Sequence, residues 1–223
     1  MTYNNKFVAV VKCNGKILVE KNGIVHIPFG SEYTILLKNL NSVKAVVDIT
    51  IDGQDILDSN RLIVHPNSSN ELKGFMKDNR VTNKFKFIQK TEEISDFRGD
   101  NIDDGIIRIE ITFETSLIPN WGYYTYNQNY TSPISKSAVS YRFTSEGITV
   151  KGDNNVNQSF APGFTNPLEY SSSVIILILR GIREDNTKVS NLISVKNKVF
   201  CETCGTRNLP KNKFCYNCGT CLI

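Results

Sequence analysis

Five of the six cysteines fall within Cys201–Cys221, and their spacing constrains the fold of that stretch more than any other feature constrains the chain. Cys201-x2-Cys204 and Cys215-x2-Cys218 stand ten residues apart, and a glycine, Gly205 or Gly219, follows each pair directly. A C-x-x-C-G turn folds two thiolates toward one point, and its glycine accepts a backbone conformation that a side chain resists. Two such turns facing each other supply four sulfurs, the tetrahedral set of a structural zinc ion. Phe200–Thr206 and Phe214–Thr220 both read F-C-x-x-C-G-T, a small internal repeat. Clustered cysteines without an export signal read as metal ligands before disulfides. A redox dithiol would use one C-x-x-C beside a βαβ pattern, and no such pattern occurs. The expected cofactor is therefore one structural Zn2+ on Cys201, Cys204, Cys215 and Cys218, with no open position for catalysis. Cys221 reads as a spare thiol, and Cys13 lies far from the cluster.

Charge divides the chain at the same place. Of its 26 basic and 22 acidic residues, residues 196–223 hold five bases (Lys196, Lys198, Arg207, Lys211, Lys213) and one acid, Glu202. That tail carries the whole net charge of +4, and the other 195 residues balance 21 bases against 21 acids. A neutral body sets up no long-range field for nucleic acid, so any such contact is expected in the tail. Four thiolates on one zinc ion return a net −2 and reduce even that. The longest compact apolar run, Val174–Leu179, has six residues. A membrane helix needs roughly 20. Met1–Phe7 offers no apolar stretch with a cleavage site, so the expectation is a cytoplasmic protein, neither secreted nor membrane-bound.

The body reads as strands. Val43, Ala45, Val47, Ile49 and Ile51 alternate with Lys44, Asp48, Thr50 and Asp52, with Val46 as the exception. Ile107, Ile109, Ile111 and Phe113 alternate with Arg108, Glu110, Thr112 and Glu114, and Phe85 and Phe87 give a shorter copy. Period two with β-branched residues marks half-buried strands. Phe7–Val11 and Val174–Leu179 are continuously apolar and read as strands covered on both faces. Turn signals punctuate the runs at Asn14-Gly15, Asn22-Gly23, Asp52-Gly53, Asp104-Gly105 and Gly152-Asp153. No dozen-residue window has helical periodicity. The pattern predicts a mainly β protein, an antiparallel sandwich or jelly roll over 1–183, then a linker over 184–199 and a small zinc unit over 200–223.

Residues 115–137 break the rhythm with Trp121, Tyr123, Tyr124, Tyr126 and Tyr130 among amides. Such rings suit a contact surface, together with Lys211 and Lys213 of the tail, or they cover an open sheet edge. Strand pattern returns near Val139–Phe143 and Ile148–Lys151. The usual nucleotide, esterase and metalloprotease motifs are missing, so the chain is not read as an enzyme. His26 and His65 read as ordinary strand residues, and Asp96, Asp100, Asp103 and Asp104 as a solvated turn whose spacing is not that of an EF-hand loop.

Four stretches of the body carry a resemblance: Gly30–Ile35, Ile49–Leu57, Leu72–Phe75, and Gly147–Gly152 followed by Gln158–Phe160. Together they resemble a β-rich domain of uncharacterised proteins in tailed phages, large DNA viruses and some bacteria. The likeness spans residues 7–182, with departures at Met76 and Gln54. Residues 200–221 separately resemble a compact zinc ribbon. The first resemblance implies a virion component and transfers no catalytic residue. The resulting expectation is a virion structural protein, a minor capsid or capsid- or tail-associated subunit assembled in the host cytoplasm. Its partners would be itself, as a homo-oligomer, or other virion proteins, with no small-molecule substrate. The alternatives are a cytoplasmic zinc-ribbon adaptor for nucleic acid or a partner protein, and a lectin-like sandwich using Trp121.

Overall fold

The computed structural model describes residues 2–115, 147–182, 199–201, 203–204, 207–208, 213–215 and 217–221. The chain divides into two compact units, Met1–Val189 and Ser190–Ile223. Of the linker expected over 184–199, only Val199 is described, and it belongs to a strand. The strands expected near Val139–Phe143 lie outside the described residues.

In chain order the first unit contains β1 (Thr2–Asn4), β2 (Phe7–Cys13), β3 (Lys16–Ile17), β4 (Glu20–Lys21), β5 (Ile24–Pro28), β6 (Glu32–Asn39), β7 (Ala45–Ile51) and β8 (Gln54–Asp55). It continues with β9 (Leu62–Val64), β10 (Ser69–Leu72), β11 (Gly74–Lys77), β12 (Arg80–Gln89), α1 (Glu92–Arg98), β13 (Ile106–Phe113), β14 (Gly147–Lys151) and β15 (Ser173–Ile182). They form two sheets. One runs β1-β2-β6-β12-β11, with β3 on β2, β10 on β6 and β14 on β12; the other runs β4-β5-β15-β13-β7-β8, with β9 on β7. The expected antiparallel order has one exception, since β5 and β15 pair in parallel with Ile24 opposite Ile178.

Both sheets contribute to one hydrophobic cluster. Phe7, Ala9, Val11, Ile35, Leu37, Phe85 and Phe87 of the first join Ala45, Val47, Ile49, Ile51, Ile107, Ile109 and Ile111 of the second. Phe7 and Phe113 meet edge to face across the sheets, with ring centroids 6.5 Å apart. Phe85, Phe87 and the named residues of the second sheet are those that the period-two pattern selects, and Phe7–Val11 is buried throughout, as a continuously apolar run requires. Val174–Leu179 departs from its reading, because only Ile175, Leu177 and Leu179 are buried and Ile176 is exposed. That run alternates after all, with an apolar residue on the outer face.

Asn14-Gly15, Asn22-Gly23 and Asp52-Gly53 each carry two successive positive φ angles, the twist that a tight hairpin requires. The stretch 152–172 has almost no regular structure, yet it is tied to both sheets. Val81 N–H donates to the Gln158 carbonyl and Gln158 Nε2 to the Glu71 carbonyl on one side. Thr115 N–H donates to Pro167 and Glu169 N–H to Phe113 on the other. This strap leaves Phe164 and Tyr170 almost fully exposed.

The turn expected to be solvated is partly the opposite. Asp104 is buried and binds Lys90 and Arg98, whereas Asp96, Asp100 and Asp103 stay exposed. Asp52, also buried, accepts from Gly105 N–H at 2.6 Å and from Thr149 N–H at 2.7 Å, so it ties β7 of one sheet to β14 of the other. Burial pushes the Asp52 carboxyl up to about 6; the amides of Thr149 and Gly105 pull the other way, and the Asp104 charge adds to the rise. A carboxyl whose folded value exceeds its unfolded value near 3.8 binds its proton more tightly when folded. Stability therefore falls as pH rises through that window. Between pH 5 and pH 7 the loss at this site is about 1 kcal/mol, and Asp52→Asn is expected to flatten the slope in urea titrations. An unchanged slope in that variant would place the titration elsewhere.

Candidate metal centre

Among the described residues of the second unit, two short strands, β16 (Val199–Phe200) and β17 (Arg207–Asn208), pair antiparallel, with Val199 opposite Asn208. In the second knuckle Gly219 has φ +74°, the left-handed conformation for which the sequence places a glycine. Gly219 N–H donates to the Cys215 carbonyl at 2.9 Å, and Cys215 N–H donates to the Thr220 carbonyl at 2.7 Å. The Phe214–Cys221 bridge closes this turn from outside.

Cys201, Cys204, Cys215 and Cys218 come together with their Sγ atoms all within 4.8 Å of one another. Cys201 Sγ lies 3.4 Å from Cys218 Sγ, and Cys204 Sγ 3.6 Å from Cys215 Sγ. A disulfide would need about 2.05 Å. A tetrahedron of thiolates about 2.3 Å from a central ion has edges of about 3.8 Å. The quartet therefore has the size of a four-sulfur metal site, with each close pair drawn from opposite knuckles. Cys201 and Cys215 are buried, and Cys204 and Cys218 are exposed. The first sulfur of each knuckle thus faces inward and the second closes the site from solvent. An ion held by all four would have its positions filled by protein.

The Thr220 hydroxyl and amide draw the Cys218 thiol down, but the sulfurs of Cys204 and Cys201 outweigh them and it is pushed up to about 11. Without an ion the Cys218 thiol holds its proton. Loading a divalent metal must displace that proton, so affinity rises with pH. Cys221 is free, exposed and outside the quartet, and Cys13 is buried in the core of the first unit.

Of the other residues singled out in the sequence, Lys213 is exposed beside the equally exposed Phe214. Trp121, Tyr123, Tyr124, Tyr126, Tyr130 and Lys211 lie outside the described residues. His26 is half-buried in β5, and His65 is exposed after β9. The exposed aromatics of the strap, Phe164 and Tyr170, escape a reading that searches for strands. Their only signal is the turn cluster Ala161-Pro162-Gly163 and Asn166-Pro167 around them. Comparison with family models, curated proteins and solved structures returned no match. Among the described residues, no helix is long and apolar enough to cross a membrane.

Proposed function

We propose that the chain is a structural component of a virus particle: a β-sandwich of jelly-roll type that makes protein–protein contacts through its loops and a zinc-ribbon knob. The single observation that carries this reading is the four-sulfur cluster in a unit of its own. Zinc suits four thiolates in a tetrahedron, and a zinc ion with all positions taken supports architecture rather than catalysis. The strap adds support, because rigid aromatic residues such as Phe164 and Tyr170 bury large area at small entropic cost when a neighbour covers them. The phage- and virus-type resemblance supplies the particle, and self-association or contact with other virion proteins supplies the partners.

Native mass spectrometry of the full chain with its metal tests this. A defined homo-oligomer carrying one zinc per chain is the expected result. A zinc-loaded monomer at micromolar concentration would overturn the self-assembly reading. It would favour the cytoplasmic adaptor, which the basic residues of the tail, Lys196, Lys198, Arg207, Lys211 and Lys213, motivate. If that adaptor bound nucleic acid, its affinity would fall steeply with added salt.

A further inference from the structure

We propose that the first unit carries a saccharide-binding cleft, a property that goes beyond the assembly reading and rests on different residues. The cleft has a volume of about 470 Å³ and opens where the β1–β2 turn, the loop after β6, the end of β13 and the strap meet. Val43 and Phe113 provide its apolar floor, and Phe113 is itself fixed by its edge-to-face contact with Phe7. Tyr3, 58% exposed, stands at the rim as an aromatic surface.

The polar rim decides the ligand class. Lys6 and Glu169 both line the cleft, and neither side chain forms a hydrogen bond or ion pair with the described residues. A cation would be drawn to Glu169 and repelled by Lys6, and an anion the reverse, so the rim as a whole favours neither charge. A hydroxyl suits both, since it accepts from the ammonium and donates to the carboxylate. Asn5 and Asn41 line the same rim. Their amide nitrogens are committed, that of Asn5 to the Ser173 hydroxyl and that of Asn41 to the Asn5 carbonyl, which fixes both side chains. Among the described residues their side-chain oxygens accept nothing, and so they remain available as acceptors. Fixed acceptors, one cation, one carboxylate and an aromatic face over an apolar floor match the alternating hydroxyl and C–H surface of a neutral sugar ring.

The turn at the rim holds backbone strain. Asn5 and Lys6 have φ of +45° and +58°, and the second of these positions favours glycine. A lysine there keeps an unfavourable backbone conformation, as Ser59 and Asn79 do in two other turns.

Saturation-transfer NMR on the full chain tests the proposal with glucose, galactose, mannose and N-acetylglucosamine as probes at millimolar concentration. At least one sugar is expected to receive saturation, with amide shifts at Tyr3–Lys6 and Glu169. Tyr3→Ala is expected to weaken binding about tenfold. Lys6→Gly separates the proposal from a structural role, because it relieves the left-handed strain while removing the ammonium. It should raise Tm by about 2–4 °C and weaken sugar binding in the same protein. No saturation of any of the four sugars would overturn the proposal. Saturation indifferent to both variants, or competition by free glycine or inorganic phosphate, would overturn it as well.

Discussion

Cys201→Ser is expected to abolish zinc retention and to unfold the C-terminal unit while the body stays folded. Cys201 is buried with its sulfur 3.4 Å from that of Cys218, so the variant leaves three thiolates around a neutral hydroxyl that ligates weakly. Among its described residues the unit has two strands of two residues each, and chains of this size seldom fold on apolar burial alone. Metal binding and folding are then one process, with an apparent free energy of about 10 kcal/mol or more for four-ligand zinc sites. The body is expected to be indifferent, because every residue of its hydrophobic cluster precedes residue 190. Native mass should fall from one zinc per chain to none, and amide protection should vanish over 199–221. The main thermal transition should remain unchanged. A chelator should reproduce this on the unaltered chain, and more readily at low pH, where protons compete for the crowded thiols. Cys221→Ser is the control. It lies outside the quartet, so that variant should keep its zinc. Zinc retained by Cys201→Ser, or lost from Cys221→Ser, would redraw the ligand set.

The quartet was legible because its geometry is local: each pair of sulfurs is set by a four-residue turn, and only the meeting of two turns is left to the fold. The core was legible for a similar reason. β7 and β13 turn alternate residues to the core, so Ala45, Val47, Ile49 and Ile51 and Ile107, Ile109, Ile111 and Phe113 could be assigned from alternation, although Val46 and Thr112 are buried as well. Three features were hidden by their scale. The helix α1 has seven residues, shorter than any window in which a 3.6-residue period can be recognised, and none of them is buried. It is set by its ends, with Thr91 capping Ile94 N–H and Glu92 and Glu93 in the first turn. The turns at Asn5-Lys6, Asp58-Ser59 and Asp78-Asn79 adopt positive φ without any glycine, so a search for glycine passes over them. The strap over 152–172 is held by hydrogen bonds to distant partners, such as Asn166 to Glu114, Gln158 to Glu71 and Phe164 to Lys44, which are 52, 87 and 120 positions apart, and no local pattern encodes those.

The Asp104 site shows most clearly what composition conceals, and removing its carboxylate is expected to cost several times more than removing that of its exposed neighbour Asp100. Asp104 has a side chain with 0% exposure; it accepts from Arg98 Nη1 at 2.8 Å, from Lys90 Nζ at 2.9 Å and from Asn101 N–H at 3.2 Å. Burial works against the Lys90 ammonium, but hydrogen bonds to Asp100 and Asp104 outweigh it and hold Lys90 above its ordinary value. Asp104→Ala therefore leaves a lysine that is only 9% exposed without its buried counter-charge. Breaking such a pair from one side costs about 3–5 kcal/mol. The lower end applies here, since Lys90 keeps Asp100 at 2.6 Å and Arg98 can reach solvent. Asp100→Ala is the comparison. Asp100 binds the same lysine at shorter range, but it is 64% exposed, and exposed pairs contribute no more than about 1 kcal/mol. Urea unfolding should thus rank the variants by burial and against distance, with Asp104→Ala lowering the midpoint several times more than Asp100→Ala at unchanged m-value. The same variant should weaken the pH dependence assigned to Asp52, because the Asp104 charge helps to hold that carboxyl up and its removal lets it fall toward the ordinary range. Equal costs for the two variants would overturn the ranking by burial.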